Sequence, residues 1–222
     1  MASALSEAAP CCRCARGCFG RWLPALLLAA CPGLLQAHDP ESDAHHALAE
    51  VAARGLRFEV AGQSVSFAEL DVSEVAVDSP SVLFHAVGTG TLGAATLGYY
   101  GAEHVILRSR DGQLVPEVSW LPKLAGVLAA LAARDAAVKA RNTGALAALA
   151  AAGYRDGAIA ASDLPVLLVN AAAPQPPSAI SVRIDGDRAE VSEVRGFGAG
   201  SGRWAASLVR TADFWRFASG LL

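Results

Sequence analysis

The chain has 222 residues, 53% hydrophobic and 18% charged, and carries a formal net charge of −3. That composition belongs to a globular protein and not to a disordered one. The weak negative charge excludes a nucleic-acid surface, which needs a concentrated basic face to displace phosphate counterions.

Arg13, Arg16 and Arg21 precede an apolar run from Trp22 to Ala30. Nine residues at about 1.5 Å each cannot cross about 30 Å of hydrocarbon, so the run reads as a secretory signal and not as a spanning helix. It ends in Leu27-Leu28-Ala29-Ala30-Cys31. This resembles the lipobox of bacterial lipoproteins, in which a small residue precedes the cysteine that receives lipid. The resemblance implies that residues 1–30 are a signal peptide, that Cys31 is lipidated, and that the exported protein is anchored to a membrane of the bacterial envelope. Cleavage after Ala37 is the alternative, though Leu35 is large for the outer position of such a site. All five cysteines lie at or before Cys31, so the mature chain would hold neither a spare thiol nor a disulfide. Cys11, Cys12, Cys14 and Cys18 lie upstream of the apolar run and lack the paired spacing of a zinc site.

Residues 31–45 read as a polar tether, with Pro32, Gly33, Pro40 and Ser42. His38, Asp39, Asp43, His45 and His46 are suitable metal-ligand types, but such residues in a tether are ordinarily solvated, and no metal or cofactor is assigned. Residues 46–120 then read as a first α+β unit. Leu48, Val51 and Ala52 have helical spacing up to Gly55, after which Phe58 and Val60 alternate. Val75 and Val77 lead through Asp78-Ser79-Pro80 to Val82, Phe84 and Ala86, a strand–turn–strand pattern. Gly88, Gly90, Gly93 and Gly98 read as a loop between strands. His104 to Trp120 is a hairpin around Asp111-Gly112. His85 and His104 lie in strand-like segments of this unit; either could act as a base beside Tyr99 or Tyr100, or simply sit on a strand surface.

From Leu121 the period becomes helical: Leu124, Val127, Leu128 and Leu131 form one stripe, with Arg134, Asp135, Lys139 and Arg141 placed largely off it. Asn142 or Thr143 can cap a second helix that Gly153 stops. Leu164, Val166 and Leu167 form a short apolar piece, and Pro174 to Pro177 a stiff loop. Ile180 to Val191 is a hairpin around Asp185-Gly186-Asp187, Trp204 to Leu208 a strand, and Phe214-Trp215-Arg216-Phe217 the last strand.

The helix pair over RDAAVKARNTGALAALAAAGYRDG, the hairpin around DGDRA and the final FWRF strand together resemble the nuclear transport factor 2-like superfamily. The resemblance spans residues 121–222 and implies an α+β fold in which a curved antiparallel sheet wraps helices around a pocket. It also implies two roles to choose between. One is non-catalytic binding of a small apolar ligand or an envelope partner protein. The other is an isomerase-, cyclase- or dehydratase-like reaction, with Tyr154 steadying an oxyanion and Asp156 or Asp163 abstracting a proton. Tyr154-Arg155-Asp156-Gly157 also reads as a plain helix stop, which favours binding. Ala47–Arg57 laid on Ala145–Arg155 matches Gly55 with Gly153 and Arg57 with Arg155. The expectation is therefore two related copies, the first abbreviated; a single larger sheet with the central helix across it is the alternative.

Overall fold

In the computed structural model, which describes residues 39–222 except 79, 198, 199 and 213, the chain enters on helix α1 (Pro40–Arg54). The expected signal, Cys31 and His38 lie outside the described residues. Asp39 caps α1, accepting from the Glu41 amide at 3.1 Å, and Pro40 suits the first helical turn because its missing N–H would have had no partner. The predicted tether therefore stops short: Asp43 and His45 belong to the helix, and Ala44 on it is already buried.

Two long antiparallel hairpins follow, β1 (Leu56–Val60) with β2 (Gln63–Asp78), and β3 (Ser81–Leu92) with β4 (Ala95–Arg110). β5 (Gln113–Pro116) folds back on β4 through Asp111 and Gly112, whose φ values of +54° and +77° suit a two-residue turn that twists with its strands. The glycines read as a loop lie largely inside strands: Gly88 pairs with Tyr99 and Gly90 with Leu97. Close approach explains them. A Cβ on Gly88 would stand 2.9 Å from the Glu69 carbonyl oxygen, and one on Gly90 would collide with that of Ser66, where β2 carries a bulge.

Helices α2 (Pro122–Lys139) and α3 (Thr143–Leu149), the small hairpin β6 (Arg155–Asp156) and β7 (Ile159–Ala160), and α4 (Leu164–Asn170) separate these strands from β8 (Pro177–Asp185), β9 (Arg188–Phe197), β10 (Gly200–Thr211) and β11 (Phe214–Ser219). Asn142 supplies the cap of α3, its Oδ1 accepting from the Ala145 amide at 2.9 Å. The strands join into one nine-stranded sheet in the order β1-β2-β3-β4-β8-β9-β10-β11, with β5 beside β4. The architecture is thus α+β with a large mixed sheet and four helices. The expected antiparallel order holds at every junction but one: β4 and β8 pair in parallel over Thr96–Gly101. A parallel pair needs a long crossover, and the helical insertion supplies it.

The sheet curls round α2. In a flat sheet β1 and β9 would stand about 24 Å apart, five spacings of about 4.8 Å. Here Val60 of β1, Ile180 of β8 and Glu193 of β9 line one cavity of about 40 Å³ together with Leu128 and Leu131 of α2. The helix is buried over much of its girth, including Leu124, Val127, Leu128, Ala130, Leu131, Ala137 and Val138. Near its start Gly126 leaves a notch for the Trp215 ring, whose Cδ1 would lie 2.8 Å from any Cβ placed there. Trp215 and Phe217 are buried, as alternation along the last strand predicts.

Leu121, at the head of α2, offers no side-chain cap. Glu103 of β4 supplies one from across the core: the Lys123 amide donates to its Oε2 at 2.9 Å, and the Leu124 amide and the Tyr99 hydroxyl donate to its Oε1 at 3.0 and 2.6 Å. Burial pushes the Glu103 carboxyl above the ordinary carboxylate range, against the downward pull of those three hydrogen bonds and of Lys123. The folded state therefore holds this proton to higher pH than the unfolded one. Its contribution is complete below the unfolded carboxylate pKa and is lost as pH rises through the folded value. Glu103→Gln, which turns an amide group toward at least one donor, is expected to cost about 1–3 kcal/mol at neutral pH and to flatten this pH slope; urea unfolding at a series of pH values reads both.

Candidate functional site

The sheet's inward register carries charge at its far end. Ala189 and Val191 of β9 are buried, and the next inward positions are Glu193 and Arg195, at 1% and 6% exposure. They meet Arg134 and Asp135 on the C-terminal half of α2. Arg134 donates through Nε and Nη2 to Asp135 Oδ1 at 2.8 and 2.6 Å, and through Nη2 to Glu193 Oε2 at 2.9 Å. Arg195 donates from Nε to Glu193 Oε2 at 3.1 Å, and from Nη2 to Glu193 Oε1 at 2.9 Å and Asp135 Oδ2 at 2.8 Å. Its Nη1 reaches the Gln175 carbonyl at 2.6 Å. Desolvation pulls the Arg195 guanidinium down, but its pairs with Glu193 and Asp135 outweigh it and raise the pKa.

Two cations and two carboxylates make the quartet formally neutral, which is what permits it inside a core. Trp204 of β10 stacks on it, with the Arg134 guanidinium carbon 4.0 Å from the ring centre. All four carboxylate oxygens accept hydrogen bonds. Among the described residues, the buried side-chain nitrogen or oxygen with no such partner is Nη1 of Arg134.

Beside the quartet opens a pocket of about 470 Å³. Val138, Ile159, Leu167, Ala171, Trp204, Leu221 and Leu222 give it apolar walls, and Arg134, Asp135, Asn170 and Arg195 its polar groups. Its size and its few convergent polar groups are those of a small-molecule site. A groove of about 510 Å³ between α1 and β2 is comparable in volume, lined by His45, Ala49, Ala52, Leu70 and Asp71 among others. Its walls are mostly alanine with Glu69 and Asp71, so the pocket at Trp204, walled by larger apolar side chains, is the better candidate.

The sequence-derived site residues fall elsewhere. Tyr154 is buried, and its hydroxyl accepts from the Leu221 amide at 3.2 Å; burial, the largest effect, raises its pKa. Asp156 is half-buried in β6, near enough that its charge adds to that rise. Asp163 is exposed and accepts from the Ala160 amide at 2.8 Å, closing the turn before α4. None of the three lines the pocket. His85 does meet Tyr100, their rings 4.5 Å apart, but Tyr100 is 45% exposed and lies on the outer face with Arg183 over its ring. Tyr99 is committed to Glu103 inside the core, and His104 is exposed. No group of three or more histidine, cysteine or acidic side chains among the described residues could hold a metal ion.

Arg134, Glu193 and Arg195 were missed by the sequence reading, although a signal was there. Arg134 stands three residues after Leu131 and four before Val138, on the buried stripe and not off it. Glu193 and Arg195 continue the inward alternation of Ala189 and Val191, so two charges were being read into the core. Comparison of the chain with models of known protein families, with curated proteins and with solved structures gave no match.

Proposed function

We propose that the protein is a non-catalytic binder that takes a small apolar molecule into the pocket between α2, α4, Trp204 and the C-terminal residues. The observation that carries this reading is the pocket itself: large apolar side chains form its walls, and a few polar residues converge at its quartet end. The enzyme reading is weaker for a stated reason: Asp163 is engaged in a backbone turn, and neither it nor Asp156 lines the pocket where a substrate would lie.

The likeness to the nuclear transport factor 2-like superfamily belongs to the same proposal. It is supported by the order of elements in the second half, two helices, a small hairpin, a short helix and four antiparallel strands round a pocket. Tandem duplication draws support from Gly55 and Gly153, which take φ values of +78° and +80° at matching positions of the echo. Strands from both halves of the chain join one continuous sheet.

Binding is read with Nile red, an uncharged apolar dye whose emission rises on desolvation. The wild-type chain should enhance that emission saturably. Ala171→Trp, which fills the pocket, should weaken binding by about ten-fold or more, while Asp156→Asn and Asp163→Asn leave it unchanged. Equal binding by wild type and Ala171→Trp would overturn the assignment of the pocket.

Export and anchoring are also proposed, on the Leu28-Ala29-Ala30-Cys31 string. No helix among the described residues is long and apolar enough to cross a membrane. In this proposal a lipid on Cys31 does the anchoring. Cys31→Ala should move the protein from the membrane fraction to the soluble one. A wild-type N-terminus at His38, or a variant still bound to membrane, would refute it.

A further inference from the structure

The outer face of the sheet carries a surface feature of its own. The alternation that buries Val82, Phe84 and Ala86 of β3 and Tyr99, Glu103 and Val105 of β4 turns their neighbours to the other side. Leu83 and Tyr100 are 44% and 45% exposed there, with Val87 and Ile106 exposed near them. From Ser81 to Thr89 on β3, and from Gly98 to Ile106 on β4, no outer position holds a lysine, arginine, aspartate or glutamate. A sheet face left to water ordinarily alternates to polar residues, and a contiguous apolar patch with a polar rim marks a docking surface.

The charges at the rim say what fits it. Across four strands one register row reads Asp71 of β2, Val87 of β3, Tyr100 of β4 and Arg183 of β8. We propose that this face binds a second copy of the chain, sheet against sheet, about a two-fold axis that runs parallel to the strands between β3 and β4. Such an axis lays the row on its own reverse. Asp71 meets the partner's Arg183 and Val87 meets the partner's Tyr100, and each contact occurs twice.

Within one chain neither Asp71 nor Arg183 makes an ion pair, although Glu190 stands beside Arg183 on β9. The Arg183 guanidinium carbon lies instead 5.1 Å from the Tyr100 ring centre. Gly98, Ala102 and Ser181 keep the surface low around that ring and leave room for a side chain from the opposite copy. An axis across the strands would lay β2 on β2. That strand carries Glu69, Asp71 and Asp78 on this face and no lysine or arginine, so like charges would meet. Four strands and five outer rows cover about 19 Å by about 33 Å, a footprint on the order of 600 Å² per copy. That reaches the lower end of specific interfaces, about 1,200 Å² in total, so the dimer should dissociate on dilution.

The test is sedimentation of the full chain over a series of concentrations, kept reduced so that none of its five cysteines links copies. The wild type should pass from monomer to dimer as concentration rises. Asp71→Arg and Arg183→Asp change exposed side chains, so circular dichroism should show both variants folded. Each alone sets like charges together at two places and should weaken the dimer about ten-fold or more. Mixed in equal amounts, the two variants should associate about as tightly as the wild type, because opposite charges meet again at both places. The double variant Asp71→Arg/Arg183→Asp should recover dimerisation without a mixture. A chain that stays monomeric at every concentration would overturn the proposal, and so would a dimer that neither reversal weakens. Failure of both the mixture and the double variant to recover the dimer would overturn the pairing of Asp71 with Arg183. Rescue of Asp71→Arg by the wild type and not by Arg183→Asp would mean that β2 faces β2, and would overturn the axis.

Discussion

Glu193→Ala is expected to destabilise the protein by about 3–5 kcal/mol, because it leaves two buried guanidinium groups short of their shared counter-charge. Glu193 is 1% exposed and accepts from both arginines, so water cannot easily replace it. Asp135 is a useful contrast. It pairs with both arginines too, but 30% of its side chain is exposed, and solvent can stand in for part of what Asp135→Ala removes. Urea unfolding should therefore rank Glu193→Ala well below Asp135→Ala in stability. A loss under about 1 kcal/mol at Glu193, typical of surface positions, would mean that the quartet is not the buried network described.

Trp215→Ala is expected to cost a further, independent 3–5 kcal/mol or so, the usual range for deleting a buried large aromatic. The ring sits at 5% exposure in the notch that Gly126 leaves on α2. Two variants test that contact from opposite sides. Trp215→Ala opens a cavity, whereas Gly126→Val pushes a side chain into the indole, and overpacking of this kind costs about 1–3 kcal/mol. If Gly126→Val were neutral, α2 would not lie against β11 at this point, and the wrapping of the sheet about the helix would have to be reconsidered.

Much of the local structure was legible because periodicity speaks directly about burial. The α2 stripe through Leu124, Val127, Leu128 and Leu131, the Asp111-Gly112 turn and the alternation of Trp215 with Phe217 all follow from patterns of 3.6 or 2 residues. Long-range pairing was not legible. Nothing local to Thr96–Gly101 announces a parallel partner at Ala179–Ile184, and the bulge at Phe67–Glu69 that demands Gly88 and Gly90 is a property of two strands at once. So glycines required by close packing read as a loop.

The candidate site was obscured by the same limitation. Arg134 and Asp135 were set aside as polar-face residues, and Tyr154, Asp156 and Asp163 drew attention because they cluster in sequence. Their chemistry is spent locally, on the Leu221 amide and on the turn before α4. The quartet is assembled from α2 and β9, with Arg134 and Glu193 far apart in sequence. Only the inward alternation that ends in Glu193 and Arg195 hinted at it, and that hint acquires meaning once a helix with a matching charged end is known to cross it.

The most direct measurement is amide and indole NMR of the full chain titrated with Nile red. Binding in the proposed pocket should move the Trp204 indole resonance and the amides of Val138, Ile159, Leu167, Ala171, Leu221 and Leu222, leaving Ala49, Ala52 and Leu70 still. Shifts concentrated on that second group, in the groove between α1 and β2, or no shifts at saturating ligand, would contradict it.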